Sequence, residues 1–203
     1  MQEARVHANP GTLYVDGSGG SDTANNCQTP ATPCATIGHA LSQAVNGDTI
    51  LVAEETYTEN LIVDKQVTLR GGYTISGTTW LSAVPGSSII DGSGSTTSQP
   101  VVDFQPGSDG AILDGFNITG GSVGEKGGGI NIESASPVIR SCFIQGNTAL
   151  GQPSEFGGGG IAIAGGGSPL ISNTLIFSNS ALGGAGGVRV ADSSFTMINS
   201  LVA

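Results

Sequence analysis

From Asp48 to its end the chain alternates brief apolar runs with Gly, Ser, Asn and Pro. The runs include TILVA (49–53), NLIV (60–63), VTLR (67–70), SIID (88–91), VVDF (101–104), AILD (111–114), GINIE (129–133), PVIR (137–140), GIAIA (160–164) and GVRV (187–190). Each has the length and β-branched content of a strand, and turn-forming residues bound it on both sides. No helical pattern separates them, which excludes a doubly wound α/β domain and leaves a sandwich or a solenoid. The only amphipathic helical pattern is TIGHALSQAV (36–45). Ile37, Ala40, Leu41, Ala44 and Val45 recur at helical spacing, Thr36 is placed to cap the start, and Asn46-Gly47 supplies a stop.

Internal repetition favours the solenoid. TLRG (68–71), IIDG (89–92), ILDG (112–115), VIRS (138–141), LISN (170–173) and TMIN (196–199) align without gaps. Ile130 and Ile132 likewise move in step with Ile161 and Ile163 and then with Val188 and Val190, while Ile118, Ile144, Ile176 and Val202 form a further column. The expected fold is all-β, a right-handed parallel β-helix with three strands per coil and a short N-terminal capping helix. Residues 1–11 read as a tail, 12–47 as an N-terminal strand, cysteine loop and capping helix, and 48–203 as coils. The aligned position Gly71, Gly92, Gly115, Ser141, Asn173, Asn199 reads as a corner that needs left-handed backbone, its last members able to stack as a side-chain ladder.

Composition then makes sense. Glycine accounts for 34 of 203 residues, well above the ~7% of ordinary proteins. Yet hydrophobic residues are 37% and charged ones 11%, which is not the signature of a disordered chain. Glycine is punctuation between strands. Net charge is −10 with only six Lys and Arg, so a basic nucleic-acid surface is not expected. No apolar run is long enough to span a membrane as a helix. Val6-His7-Ala8 has the small-residue character of a signal-cleavage site, without a hydrophobic segment before it.

Cys27 and Cys34 flank a short proline-containing loop. A disulfide is the favoured reading, implying an oxidising, extracellular or periplasmic location, with two buried thiols or half a metal site as the alternative. Cys142 is left over as a reduced strand residue. His39 reads as a polar-face residue of the helix.

GGGI (127–130), GGGI (158–161) and GAGGV (184–188) alternate with IQGN (144–147) and IFSN (176–179). In these motifs the chain resembles right-handed β-helix families of secreted bacterial proteins, most specifically the group with Pmp-like (polymorphic membrane protein) repeats. Ile replaces Phe at the first position of both FxxN-like segments, and Gly replaces Ala in the GGA[ILV]-like ones. GDTILVAEETYTENLIVDKQVTLRGGY (47–73) also looks like the first coil of pectate-lyase-like proteins. The resemblance implies a non-catalytic surface adhesin, stalk or glycan-binding face. Its competitor is a lyase or hydrolase acting on acidic polysaccharide, which needs clustered carboxylates and often a basic residue.

The candidate groove for such a ligand is the outward column Arg70, Asp91, Asp114, Arg140, with Asp103 on a different column. A surface charge ladder is the preferred reading of these four, because no His, Lys or third carboxylate joins them. No catalytic residue, metal site or cofactor is therefore assigned. Ca²⁺ is the one ion considered, and Asp48, Glu54, Glu55, Glu59 and Asp64 read as a solvated acidic face rather than its site. GEKGGG (124–129) lacks the order of a phosphate loop. Asn117-Ile118-Thr119 is a glycosylation sequon. Trp80, Tyr73 and Tyr57 are candidates for a sugar-stacking platform, with closure of the second turn as the plainer reading. Phe143, Leu175 and Leu201 read as an outward apolar stripe if Cys142, Thr174 and Ser200 point inward. The chain stops in mid-coil at TMINSLVA, so the C-terminal end is expected to continue into further coils or to pack on another chain.

Overall fold

A computed structural model describes residues 10–82, 84–94, 98–124, 126–151 and 157–203. The whole Val6-His7-Ala8 segment, residues 1–9 of the expected N-terminal tail and Glu125 of the GEKGGG stretch lie outside the described residues. The strands, numbered along the chain, stack in parallel into a right-handed β-helix. Sheet I contains β1 (Thr12–Val15), β2 (Thr49–Ala53), β5 (Thr68–Ser76), β9 (Ile112–Asp114), β13 (Val138–Arg140), β17 (Leu170–Ser172) and β21 (Thr196–Ile198). Sheet II contains β3 (Thr56–Tyr57), β7 (Ser88–Asp91), β10 (Phe116–Thr119), β14 (Phe143–Gln145), β18 (Leu175–Phe177) and β22 (Leu201–Val202). Sheet III contains β4 (Leu61–Val63), β8 (Val102–Phe104), β12 (Ile130–Glu133), β16 (Ile161–Ala164) and β20 (Val188–Val190). A narrow fourth sheet of β11 (Ser122–Val123), β15 (Thr148–Ala149) and β19 (Ser180–Ala181) joins the later coils between sheets II and III.

Alternation along each strand builds the core. Leu13, Ile50, Leu69, Leu113, Ile139 and Ile171 form one buried inward column on sheet I, and Ile90, Ile118, Ile144 and Ile176 another on sheet II. Leu and Ile side chains stack at the ~4.8 Å rung spacing, so each coil seals the apolar surface of the last.

The second coil corrects the sequence alignment. Residues 68–111 form one turn, because β5 runs on past the sheet and returns as β6 (Thr79–Ser82), an antiparallel hairpin inserted into that coil. SIID therefore belongs to sheet II, where Ile90 pairs with Ile118 and Asp91 with Thr119. Its apolar pattern matches the sheet I strands only because all strands bury alternate residues. Gly92 leaves the corner column for the same reason.

The remaining corner behaves as its sequence implies. Gly115, Ser141, Asn173 and Asn199 have φ of 80°, 54°, 49° and 48°, and Gly72 rather than Gly71 takes the equivalent conformation in the second coil. The N–H of Ser141 donates to Ser172 O and that of Asn173 to Ile198 O, each at 3.1 Å, tying successive corners together. The side-chain ladder lies elsewhere, at Asn147 and Asn179 of the FxxN-like segments. Asn147 Nδ2 donates to Asn179 Oδ1 at 3.0 Å and to Ile118 O at 3.0 Å, while its Oδ1 accepts from Gly121 N at 2.9 Å. Inside sheet II's corner, Thr174 Oγ1 accepts from the Cys142 N–H and Ser200 Oγ from the Thr174 N–H, so these three side chains do face inward. The glycine runs stack on one another: Gly128 N donates to Gly158 O at 2.8 Å and Gly129 N to Gly159 O at 3.1 Å. A Cβ on Gly128 would sit 2.5 Å from Gly159 O, which explains why this turn is glycine.

At the N-terminal end, α1 (Ile37–Gln43) lies over β1, β2 and β4 and buries Ile37, Ala40 and Leu41. Thr36 caps it through a 3.1 Å bond from His39 N, and Glu59 accepts from Ile37 N and Gly38 N at 2.9 and 2.8 Å. The helix ends at Gln43, before the expected Val45, because Asp48 draws the Val45 N–H into a turn that closes at Gly47. Cys27 and Cys34 form a disulfide, and both pair with β1: Tyr14 N donates to Cys27 O, and Cys34 N to Tyr14 O. At the opposite end Ile198, Leu201 and Val202 are exposed on the last described rungs.

Candidate functional site

Two outward faces carry chemistry. On sheet I the register runs Tyr14, Leu51, Arg70, Asp114, Arg140, Ser172, Ile198. Asp114 sits between two guanidinium groups, with Arg140 Nη2 at 2.9 Å and Arg70 Nε at 3.6 Å from the same carboxylate oxygen. The Arg70 and Arg140 side chains are 44% and 35% exposed, so each keeps N–H donors toward solvent. The group carries one net positive charge on a strongly acidic protein. Asp91 is not part of it, since it lies on sheet II, where its Oδ1 accepts from Ser93 N at 2.9 Å. The expected column of four is therefore three, and Arg70 neighbours Asp114 directly.

The inserted hairpin brings aromatic residues to the same face. Trp80 packs against Tyr14 at a centroid distance of 5.1 Å and Tyr73 at 6.4 Å, and its indole N–H donates to Pro30 O at 3.3 Å. Tyr14 takes the place expected of Tyr57, which is buried and donates to Ala53 O at 3.2 Å.

On sheet III the outward register is Ile62, Asp103, Asn131, Ala162, Arg189. Asp103 and Asn131 are buried although they point away from the core. Asp103 Oδ1 accepts from Asn131 Nδ2 at 2.7 Å, and its Oδ2 accepts from Lys126 Nζ at 3.1 Å and Gln105 Nε2 at 3.3 Å. Beside this network lies a cleft of about 400 Å³. Lys126, Asn131 and Glu133 form one side, Arg189 and Asp192 the other, and Ala162 and Ala164 the floor. The concavity lies where β16 presents Ala162 and Ala164 beside Asn131 and Glu133 on one neighbouring rung and Arg189 on the other.

Of the acidic residues of the first coils, Asp48 and Glu59 serve the backbone. Asp48 accepts from Gly11 N at 2.7 Å and Val45 N at 2.9 Å, and Glu59 holds the start of α1. Burial pushes the Glu59 carboxyl above its usual range, against the pull of its two N–H donors. Asp22 is also opposed by burial, but the Thr36 hydroxyl and the Ala35 and Thr36 N–H groups outweigh it and hold its carboxyl below the usual range. Among the described residues one set of three metal-ligating types clusters, Cys27, Cys34 and His39, and its two sulfurs are joined in the disulfide.

The family model described as "Protein of unknown function (DUF1565)" matches residues 18–201. The chain belongs to this family. No curated protein matches it. Among solved structures it is similar to the pectin methylesterase of Aspergillus niger, in both its deglycosylated and its penultimately deglycosylated forms. The identity is 16%, the TM-score 0.40, and the match covers 99% of this chain and 88% of that one. Strand register, not this distant likeness, defines the fold of this DUF1565 member.

For this DUF1565 chain the sequence placed Arg70, Asp114 and Arg140 together and missed the cleft. A signal for the cleft was present. Asn131, Ala162 and Arg189 each stand between the two members of an aligned Ile or Val pair, which puts them on one outward column.

Proposed function

We propose that this protein is a non-catalytic, extracellular glycan-binding β-helix of the adhesin or stalk type, with the sheet III cleft as its sugar site. The observation that carries this reading is the state of Asp103. Both of its carboxylate oxygens are engaged, by Lys126, Gln105 and Asn131, which holds the two donors that line the cleft, Lys126 and Asn131, in place for a ligand. Lys126 and Asn131 bring donors to a sugar's hydroxyls, Glu133 and Asp192 bring acceptors, and the Ala162–Ala164 floor suits the apolar face of a pyranose ring. The Cys27–Cys34 disulfide supports an oxidising compartment, and the Pmp-like pattern of glycine and FxxN-like segments supports display at a cell surface.

The deciding experiment is a glycan array run beside a polysaccharide depolymerisation assay, each with and without Ca²⁺. Binding without cleavage, lost at least tenfold in Lys126→Met, is the expected result. Release of ultraviolet-absorbing unsaturated products or new reducing ends would replace this reading with a lyase or hydrolase acting on acidic polysaccharide.

A further inference from the structure

We infer that Lys126 and Asn131 join covalently, through an intramolecular amide between the lysine Nζ and the asparagine Cγ, with Asp103 as the group that moves the protons. Asp103 and Asn131 occupy neighbouring outward positions on β8 and β12, yet both are buried, at 6% and 4% exposure. An acid kept only for surface charge would face water. Lys126, on the turn that leads into β12, is half-exposed, and its Nζ lies 3.1 Å from Asp103 Oδ2. Asn131 Nδ2 lies 2.7 Å from Asp103 Oδ1. One carboxylate therefore holds an amine on one oxygen and an amide nitrogen on the other.

That arrangement meets the needs of amine–amide exchange. Asp103 takes a proton from the Lys126 ammonium at Oδ2, which frees the nitrogen lone pair to attack Asn131 Cγ. A C–N bond forms, the carbonyl electron pair moves onto Asn131 Oδ1, and its return breaks the bond from Cγ to Nδ2. Asp103 faces that leaving nitrogen with Oδ1 and supplies its proton. The two protons lost by the Lys126 nitrogen depart with the leaving group as ammonium, and Asp103 ends as the carboxylate it began, so the balance needs no co-reactant. The backbone between the reacting residues is already fixed, because Gly128 N donates to Gly158 O and Gly129 N to Gly159 O. Only the flexible lysine chain has to move to bring Nζ onto Cγ. Burial of Asn131 shields Cγ from water, the competing nucleophile, and the adjoining cleft gives the ammonia a way out. The bond closes a ring across the glycine turn, where the backbone has most freedom to lose, and leaves an amide N–H and a carbonyl on the cleft wall. It is a single self-modification, compatible with a protein that turns over no substrate.

This inference does not rest on sugar binding: the crosslink is read by mass and the sugar site by the glycan array, so either fails alone. The test is mass spectrometry of the full chain, kept folded for several days, then reduced to remove the contribution of the Cys27–Cys34 bond and digested with trypsin. The parent chain is expected to be lighter than its sequence by one ammonia. The loss should map to a peptide from Gly71 to Arg140 that trypsin fails to cut after Lys126. Lys126→Met, Asn131→Ala and Asp103→Asn should each restore the full mass expected of the variant. Lys126→Met changes a half-exposed side chain, so it keeps the test decisive if the two buried variants misfold. Full sequence mass and normal cleavage after Lys126 in the parent chain would overturn the inference. So would an ammonia loss that persists in Lys126→Met, as cyclisation at Asn46-Gly47 would give, or one that persists at Asn131 in folded Asp103→Asn. Loss of one water in place of ammonia, mapped to Lys126 and Asp103, would overturn the assignment of Asn131 as the acceptor.

Discussion

Replacing Asn147 tests whether the asparagine ladder holds successive coils together. Its side chain is fully buried, accepts from Gly121 N, and donates to Ile118 O, Gln145 O and Asn179 Oδ1. Asn147→Ala removes these partners and strands the Gly121 N–H and the Ile118 carbonyl in a dry corner. An unsatisfied buried polar group costs about 1–3 kcal/mol, so two of them, with some relaxation, predict a loss of about 3 kcal/mol. Asn179 is only half-buried, and water can replace part of what its side chain provides, so Asn179→Ala should cost about 1 kcal/mol. The two residues bond each other, so the double variant should lose less than the sum of the singles by about 0.5 kcal/mol or more. Asn147→Asp sharpens the test. A carboxylate cannot donate to Ile118 O and would repel Asn179 Oδ1, so the variant should be worse than Ala at neutral pH and recover as it is protonated. Urea denaturation gives the global number, and amide exchange at Gly121 and Asn147 gives the local one, which matters because a solenoid can open coil by coil. A loss below about 1 kcal/mol in Asn147→Ala, with Gly121 protection unchanged, would refute the ladder's structural role.

Other perturbations have equally definite outcomes. Thiol titration of unfolded protein purified without reductant should find one thiol, and reduction of the bond, which closes a loop over a sequence separation of 7, should cost about 2.5 kcal/mol by loop entropy. That one thiol, Cys142, is buried and pushed up to about 12, so the native protein should resist alkylation at neutral pH until it unfolds. Asp22 and Glu59 should give opposite pH signatures at the helix start. The lowered Asp22 contributes stability above its ordinary value of 3.8 that is lost as pH falls through its folded value, so the destabilisation caused by Asp22→Asn should fade in acid. The raised Glu59 contributes stability below 4.5 that is lost as pH rises through its folded value, so Glu59→Gln should flatten that decline in melting temperature measured against pH.

How much of this could be read from the sequence follows from what is local. Strand identity depends on alternation and turn residues within a few positions, so the runs, the capped helix, the left-handed corner at Gly115, Ser141, Asn173 and Asn199, and the solenoid itself were all legible. Gapless alignment of the repeat segments also placed Asp114 beside Arg140 and Ile130 beside Ile161. The second coil was not legible. SIID has the same alternation whether it lies on sheet I or sheet II, and only the pairing of β5 with β9, which passes over the β5–β6 hairpin, decides that Asp91 sits elsewhere. The cleft needed tertiary structure for a different reason. The pair Asp103 and Gln105 is far in the chain from Lys126 and Asn131, and their meaning comes from burial on an outward face and from the gap that the β16 alanines leave beside larger neighbours. Periodicity reports which side of a strand a residue occupies. Stacking of coils decides who its neighbours are, and neighbours make a site.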